Sequence, residues 1–491
     1  MLQIIRNAAA HLNNTAIISN GKSYTYSELL QASQQFAALL LDEQQDLNES
    51  RVAFMVNPGF EYVRVQWAIW QAGGIATPLC LTHPLPSLSY VLEDTEATIL
   101  VVSDEYEAFM LPLVQQFNLR LIVLGKEQFV DSKALPEIET ARRAMILYTS
   151  GTTNKPKGVV TTHDNLEAQI STLVSSWEWS AKDHTLCVLP LHHVHGIINV
   201  VSCSLWSGAT CEFINGFSAE EIFRLFQLGK LNVFMAVPTI YYKLITYWES
   251  LDENVQQSLT QCMTAFRLMV CGSAALPVSV MEKWKTISGH TLLERYGMTE
   301  IGMAISNPYR GERKAGYIGM PLPGVEVKLV DENYNPVKSG EPGEIIVRGK
   351  NVFNEYWKKP EATAKEFTAD GWFKTGDVAV VEDGYYRIMG RNSVDIIKSG
   401  GYKISALEIE EELRKHPSIG DCAVVGIASD EWGELIVSAI VVNNAIDTDE
   451  LNRWMRERMA AYKTPRRYLI VNELPRNAMG KVTKNDVKKL F

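Results

Sequence analysis

Short apolar runs alternate with capped amphipathic segments along most of this chain, and that rhythm leaves few folds open. Thr25-Tyr-Ser-Glu28 has the form of a capping box, in which hydroxyl and carboxylate each satisfy a backbone N–H that a helix start leaves bare. Leu29, Leu30, Phe36, Leu39 and Leu40 follow it at helical spacing. Ser218-Ala-Glu-Glu221 repeats the device ahead of Ile222, Phe223, Leu225 and Phe226. Between such segments, residues 99–102, 121–124 and 232–237 are apolar and too short for helices, which predicts strands. Near Pro323 the rhythm changes. Val325, Val327 and Leu329 alternate, a turn-rich stretch ends in Gly340-Glu-Pro-Gly-Glu344, and an apolar run at 345–347 follows, as in antiparallel sheet. Residues 385–389 predict a last strand, and Gly390-Arg391 follows it. Beyond lies a smaller unit: Ser405-Ala-Leu-Glu408 opens a helix through Leu413, residues 422–427 and 435–442 predict strands, and 449–459 predict a helix. The expected fold class is α/β, with a large N-terminal domain of βα-layered sheets plus a β region (residues 1–390) and a small C-terminal α/β domain (residues 391–491).

The formal net charge of −10 argues against a protein built around a nucleic-acid footprint. The charge is uneven, however. Residues 453–489 carry 11 basic and 3 acidic side chains, which fits either a solvated helical face or a mobile lid that meets phosphates. The seven cysteines are odd in number and form no CxxC pair, so buried reduced thiols are expected rather than a disulfide framework or zinc site. No apolar run approaches membrane-spanning length and the first residues lack a secretory pattern, so the expected location is cytoplasmic.

Chemistry concentrates in Tyr148-Thr-Ser-Gly-Thr-Thr-Asn-Lys-Pro-Lys-Gly158. A glycine- and hydroxyl-rich loop leaving a strand offers backbone N–H groups, small hydroxyls and a cation to a polyphosphate. It is not a Walker A loop, because the Gly-Lys-Ser/Thr ending is missing. Together with Tyr296-Gly-Met-Thr-Glu300, Thr375-Gly-Asp377, Gly390-Arg391 and Pro475-Arg-Asn-Ala-Met-Gly-Lys481, in that order, the loop resembles the motif set of the adenylate-forming superfamily. That superfamily includes acyl-CoA synthetases, luciferases and peptide-synthetase adenylation domains. The matching region runs from Tyr148 to Lys481, about two-thirds of the chain.

The resemblance implies an ATP-dependent ligase that forms an acyl-AMP intermediate and passes the acyl group to coenzyme A. Thr149, Ser150, Gly151, Thr152, Thr153 and Lys157 would then cradle the β- and γ-phosphates, and Thr299 the α-phosphate. Glu300 would help hold Mg2+, a hard cation suited to carboxylate and phosphate oxygens. Tyr296 would pack on adenine, and Asp377 and Arg391 would take the ribose. Lys481 would bridge the attacking carboxylate and the α-phosphate. After adenylation the small domain would turn on a hinge within residues 393–395, so that Gly400 and Gly401 line the pantetheine path between Lys398 and Lys403. The chain departs from the family here: Arg391-Asn-Ser-Val-Asp395 is one residue longer than the usual hinge.

Leu189-Pro-Leu-His-His-Val-His-Gly196 holds three of the nine histidines and resembles the family's motif beside the acyl pocket, with His193 at the equivalent position. Three wider stretches, residues 188–196, 294–308 and 393–410, are similar to malonyl-CoA synthetases. The physical argument turns on Arg295, next to Tyr296. An unpaired guanidinium in an apolar tunnel would cost several kcal/mol, whereas a dicarboxylic acid supplies its partner bidentately. Ser273 resembles the hydroxyl that assists this grip, and Lys243 stands where another cation is offered. Malonate is the expected acid, with methylmalonate as its near neighbour. The rival expectations are a medium-chain or aromatic acyl-CoA synthetase, an enzyme that loads a carrier protein, and a structural ion pair of Arg295 with Glu294 or Glu300.

Overall fold

The computed structural model describes residues 1–128, 133–149, 156–214, 216–391, 394–399, 402–429, 431–476 and 481–491. The capping box at Thr25 forms in full. Its hydroxyl accepts from Glu28 N at 3.2 Å while Glu28 Oε2 accepts from Thr25 N at 2.7 Å, opening the helix Tyr26–Leu41. Ser218 forms only half of its box. It accepts from Glu221 N at 3.2 Å, but Arg224, one turn on, takes the Glu221 carboxylate with contacts of 2.6 and 2.7 Å. A charged bidentate partner outcompetes a single backbone N–H.

The expected strands are present as Ile99–Val102, Arg120–Val123 and Val233–Ala236. They belong to two sheets. One has nine strands with six adjacent parallel members, in the order Leu293–Met298, Leu268–Cys271, Val233–Ala236, His184–Cys187, Thr210–Phe213 and Thr15–Ser19. The other has seven strands and places Arg143–Thr149 and Lys157–Thr162 beside each other, antiparallel. The central parallel strands Val233–Ala236, Leu268–Cys271 and Ile99–Val102 are buried throughout and read as continuous apolar runs, as strands covered on both faces do. Trp67, Trp70 and Trp177 fill the core with the sheets' inner side chains. The change of rhythm after Pro323 produces the antiparallel sheet Val325–Val330, Gly343–Gly349, Phe373–Glu382 and Tyr385–Arg391.

The remaining sheet is built from Ile396–Ser399, Tyr402–Ser405, Ile419–Ser429, Gly433–Val442 and Arg467–Ile470. Among the described residues, none of these strands pairs with one before Arg391. Helix Ala406–Arg414 and Thr448–Arg456 cover it, and Ile397, Ile409, Leu413, Val424, Ile436 and Leu451 form its own core. Glu411 of the first helix reaches across to the larger part, where Val278 N donates to its Oε2 at 3.3 Å. Among the described residues, no helix is long and apolar enough to cross a membrane.

Candidate active site

Four neighbouring parallel strands end on the same edge of the nine-stranded sheet, where open α/β sheets bind their ligands. His184–Cys187 leads into the histidine tract, Val233–Ala236 into helix Pro238–Glu249, Leu268–Cys271 into Gly272-Ser273, and Leu293–Met298 into Thr299-Glu300. The last of these turns back at once into Gly302–Ser306. Gly297 permits that hairpin: a methyl group there would stand 1.9 Å from Gly302 O.

Glu300 is buried, and Tyr356 donates its hydroxyl to Glu300 Oε1 at 2.9 Å. Burial pushes the Glu300 carboxyl up, while the Tyr356 bond and the Arg391 and Lys157 charges pull it back. Lys157 Nζ lies 4.2 Å from the Tyr356 ring centre and 3.4 Å from Glu366 Oε1. Lys157 pairs in register with Thr149, so the strands that flank the expected phosphate loop are antiparallel partners. Ser150, Gly151, Thr152 and Thr153 fall outside the described residues; Thr149 and Thr299 are half-buried.

A second cluster arises from register alone. The hairpin Phe373–Glu382/Tyr385–Arg391 sets Asp377 opposite Arg391, an opposite-charge cross-strand pair. Arg391 Nε donates to Asp377 Oδ1 at 3.1 Å, and Tyr296 donates its hydroxyl to Asp377 Oδ2 at 2.6 Å. Tyr296, Asp377 and Arg391 therefore form one connected unit next to Glu300.

Arg295 is 3% exposed. Its guanidinium lies on the backbone of Gly272, where a methyl group would stand 2.6 Å from Arg295 Cζ. Among the described residues it has no carboxylate within ion-pair distance, and Nε has no hydrogen-bond partner. Arg267 shows the ordinary alternative: it is bidentate to Asp183 at 2.6 and 2.7 Å. Glu294 precedes Arg295 but does not pair with it, because successive residues of a strand point to opposite faces. Its carboxyl accepts from Leu276 N at 3.3 Å and is pushed up to about 8 by burial. Burial lowers the Arg295 guanidinium to about 10.

Arg295 Nη2 donates to Ser273 Oγ at 3.4 Å, and Ser273 Oγ lies 3.1 Å from His195 Nδ1. Arginine only donates, so the serine oxygen is the acceptor of the Arg295 bond. Burial and the Arg295 charge hold the His195 imidazole well below its usual range. His193 lies 4.1 Å from His192 with the two rings tilted by 51°, and it is lowered to about 4 by burial and by His83. Lys243 is exposed on its helix, 5.2 Å from the Phe217 ring centre, and no described contact joins it to Arg295 or Ser273.

In the smaller part, Lys398 and Lys403 are register partners on adjacent antiparallel strands. Gly400, Gly401 and the Lys403 side chain lie outside the described residues, and so does Ser393 of the hinge. Lys481 is exposed, directly before the bridge of Val482 to Arg476.

Residues 4–357 match the AMP-binding enzyme family, and residues 408–481 match the AMP-binding enzyme C-terminal domain. The chain belongs to the AMP-binding enzyme family. Among other members, it is 44% identical to "Malonate--CoA ligase ACSF3, mitochondrial" of Bos taurus, covering 99% of this chain and 89% of that protein. It is 42% identical to the Homo sapiens protein of the same name, covering 99% and 92%. The crystal structure of ATP-bound MatB from Rhodopseudomonas palustris superposes with a TM-score of 0.91 at 30% identity, over 100% of this chain and 99% of that one.

Within this AMP-binding enzyme, three residues that sequence reasoning passed over stand beside the expected ones. Tyr356 and Glu366 contact Glu300 and Lys157, and their roles come from packing; no local pattern marks them. His195 was visible as the third histidine of its tract, but its bond to Ser273 depends on a loop from another strand.

Proposed function

We propose that this enzyme joins malonate, or methylmalonate, to coenzyme A through an acyl-AMP intermediate. The observation that carries the acid assignment is Arg295: buried, charged at neutral pH, and without a carboxylate within ion-pair distance among the described residues. Natural interiors pair such a group, because an isolated buried charge costs several kcal/mol. A dicarboxylic acid presents one carboxylate to Arg295 and Ser273 and leaves the other free to react.

The reactive carboxylate oxygen attacks the α-phosphorus, the bond from that phosphorus to its bridging oxygen breaks, and pyrophosphate leaves. Most of the work is positioning and charge neutralisation. Lys157, with Thr149 and residues 150–153, holds the β- and γ-phosphates; Thr299 and Lys481 meet the α-phosphate. Tyr296 lies against adenine, and the preformed Asp377–Arg391 pair takes the ribose hydroxyls. Mg2+ suits Glu300: its carboxylate is buried with no ion-pair partner among the described residues, and a hard cation prefers oxygen ligands. When bound, the ion neutralises phosphate charge. In the second step the coenzyme A sulfur attacks the acyl carbonyl and AMP departs. We assign this step to the segment that holds Lys398, Gly400, Gly401 and Lys403, where the family resemblance places the pantetheine path. His193 borders the acyl pocket as a neutral ring, and Lys243, exposed on its helix, is the further cation offered to the acid.

Two units, 1–390 and 391–491, fit sheets that share no strand among the described residues. Seven free thiols suit a reducing compartment. The cytosol is our reading, and cell fractionation against mitochondrial markers tests it. ATP–pyrophosphate exchange with malonate, methylmalonate, acetate, octanoate and benzoate tests the function. Exchange driven by malonate supports it; preference for octanoate or benzoate rejects the acid assignment and leaves adenylation standing.

A further inference from the structure

Tyr356 touches two charged groups through two different parts of one ring. Its hydroxyl donates to Glu300 Oε1 at 2.9 Å, and Lys157 Nζ lies 4.2 Å from its ring centre. Several contacts fix the ring. Tyr356 is 3% exposed, pairs in register with Val159 on the strand that carries Lys157, and packs on Phe353 at 4.8 Å. Phe353 N in turn donates to Glu300 O at 2.7 Å. The segment 353–356 therefore holds both the backbone and the carboxylate of Glu300 while lying under Lys157.

We propose that Tyr356 is a positioning residue that couples the metal-directed carboxylate of Glu300 to the phosphate-directed ammonium of Lys157. The coupling has a physical route. A phenol that donates to a carboxylate becomes richer in electrons, and an electron-rich ring holds a cation more strongly. Glu366 supplies the other hold on Lys157. When the charge on Glu300 is neutralised, the ring loses electron density and Lys157 is released toward the incoming phosphates. Metal and phosphate binding then reinforce each other.

This inference rests on the nucleotide-binding reading above. The test is isothermal titration of the full chain with ATP, once with excess Mg2+ and once with EDTA. Tyr356→Phe keeps the ring under Lys157 and removes only the hydroxyl. It is expected to weaken binding in Mg2+ roughly tenfold, as loss of a hydrogen bond to a charged group does. Binding in EDTA is expected to change by less than about twofold, because the cation–π contact survives. Tyr356→Leu also removes the ring's hold on Lys157, so it is expected to weaken binding in Mg2+ and to tighten binding in EDTA. If Tyr356→Phe lowers both affinities equally, or neither, the coupling is refuted while the nucleotide-binding reading stands. If the wild type binds no ATP under either condition, both fall together. Tyr356→Phe preserves the ring's packing, so the decision does not depend on the leucine variant folding.

Discussion

Replacing Arg295 by methionine separates binding from stability, because the two should move in opposite directions. The guanidinium is held at about 10 by burial, well below its ordinary value. That depression means that the folded state disfavours the charge by about 3 kcal/mol, and methionine removes this cost at similar volume. For a large domain with an unfolding entropy of about 2 cal/mol/K per residue, the gain corresponds to a rise in melting temperature of up to ~4 °C. Activity should fall. Removing one partner of a buried, hydrogen-bonded charge pair costs about 3–5 kcal/mol, or roughly 150- to 4,000-fold in kcat/KM for malonate. Acetate, which offers no second carboxylate, should lose little. The assay is ATP–pyrophosphate exchange with both acids, paired with thermal melts of wild type and Arg295→Met with and without malonate plus ATP. Malonate should raise the melting temperature of the wild type only. The reasoning is wrong if the variant keeps malonate activity within about threefold, or if it melts well below the wild type, since the second result would mean that Arg295 holds the fold together.

Lys481→Gln should lose exchange by about two orders of magnitude or more but still convert supplied malonyl-AMP to the thioester, read by mass spectrometry; equal loss of both steps would argue for general damage. Glu294 is raised to about 8, so the folded state keeps a proton that the unfolded chain releases, and stability falls as pH rises from about 4.5 to 8. Glu294→Gln should remove that slope, so its melting temperature relative to wild type should climb between pH 5 and pH 9. Lys484 is half-buried, with its ammonium between Asp395 Oδ1 at 3.0 Å and the carboxylate of Glu410. Lys484→Met should destabilise the small unit by about 3–5 kcal/mol, seen as early hydrogen exchange in residues 419–442.

Where chemistry is encoded in one turn or one hairpin, the linear sequence determined it. Thr299-Glu300 sits in a turn whose glycines leave no room for a side chain, and Asp377 meets Arg391 because strand register admits no other partner. The same holds for the Thr25 cap and for the alternation that separates parallel from antiparallel sheet. Such features depend on sterics and hydrogen bonds across a few residues. The half-made cap at Ser218 marks the limit, since its glutamate had a better partner one turn away. Only the tertiary structure decided that Arg295 has no carboxylate within ion-pair distance among the described residues, because the neighbouring Glu294 points to the other face and the contacts of the guanidinium, Gly272 and Ser273, follow a different strand. Only packing put the Tyr356 ring between Glu300 and Lys157, or set Lys484 against the hinge. Isolation and juxtaposition are properties of the space around a side chain. That space is filled by strands and loops far apart in the chain, so no local pattern specifies it.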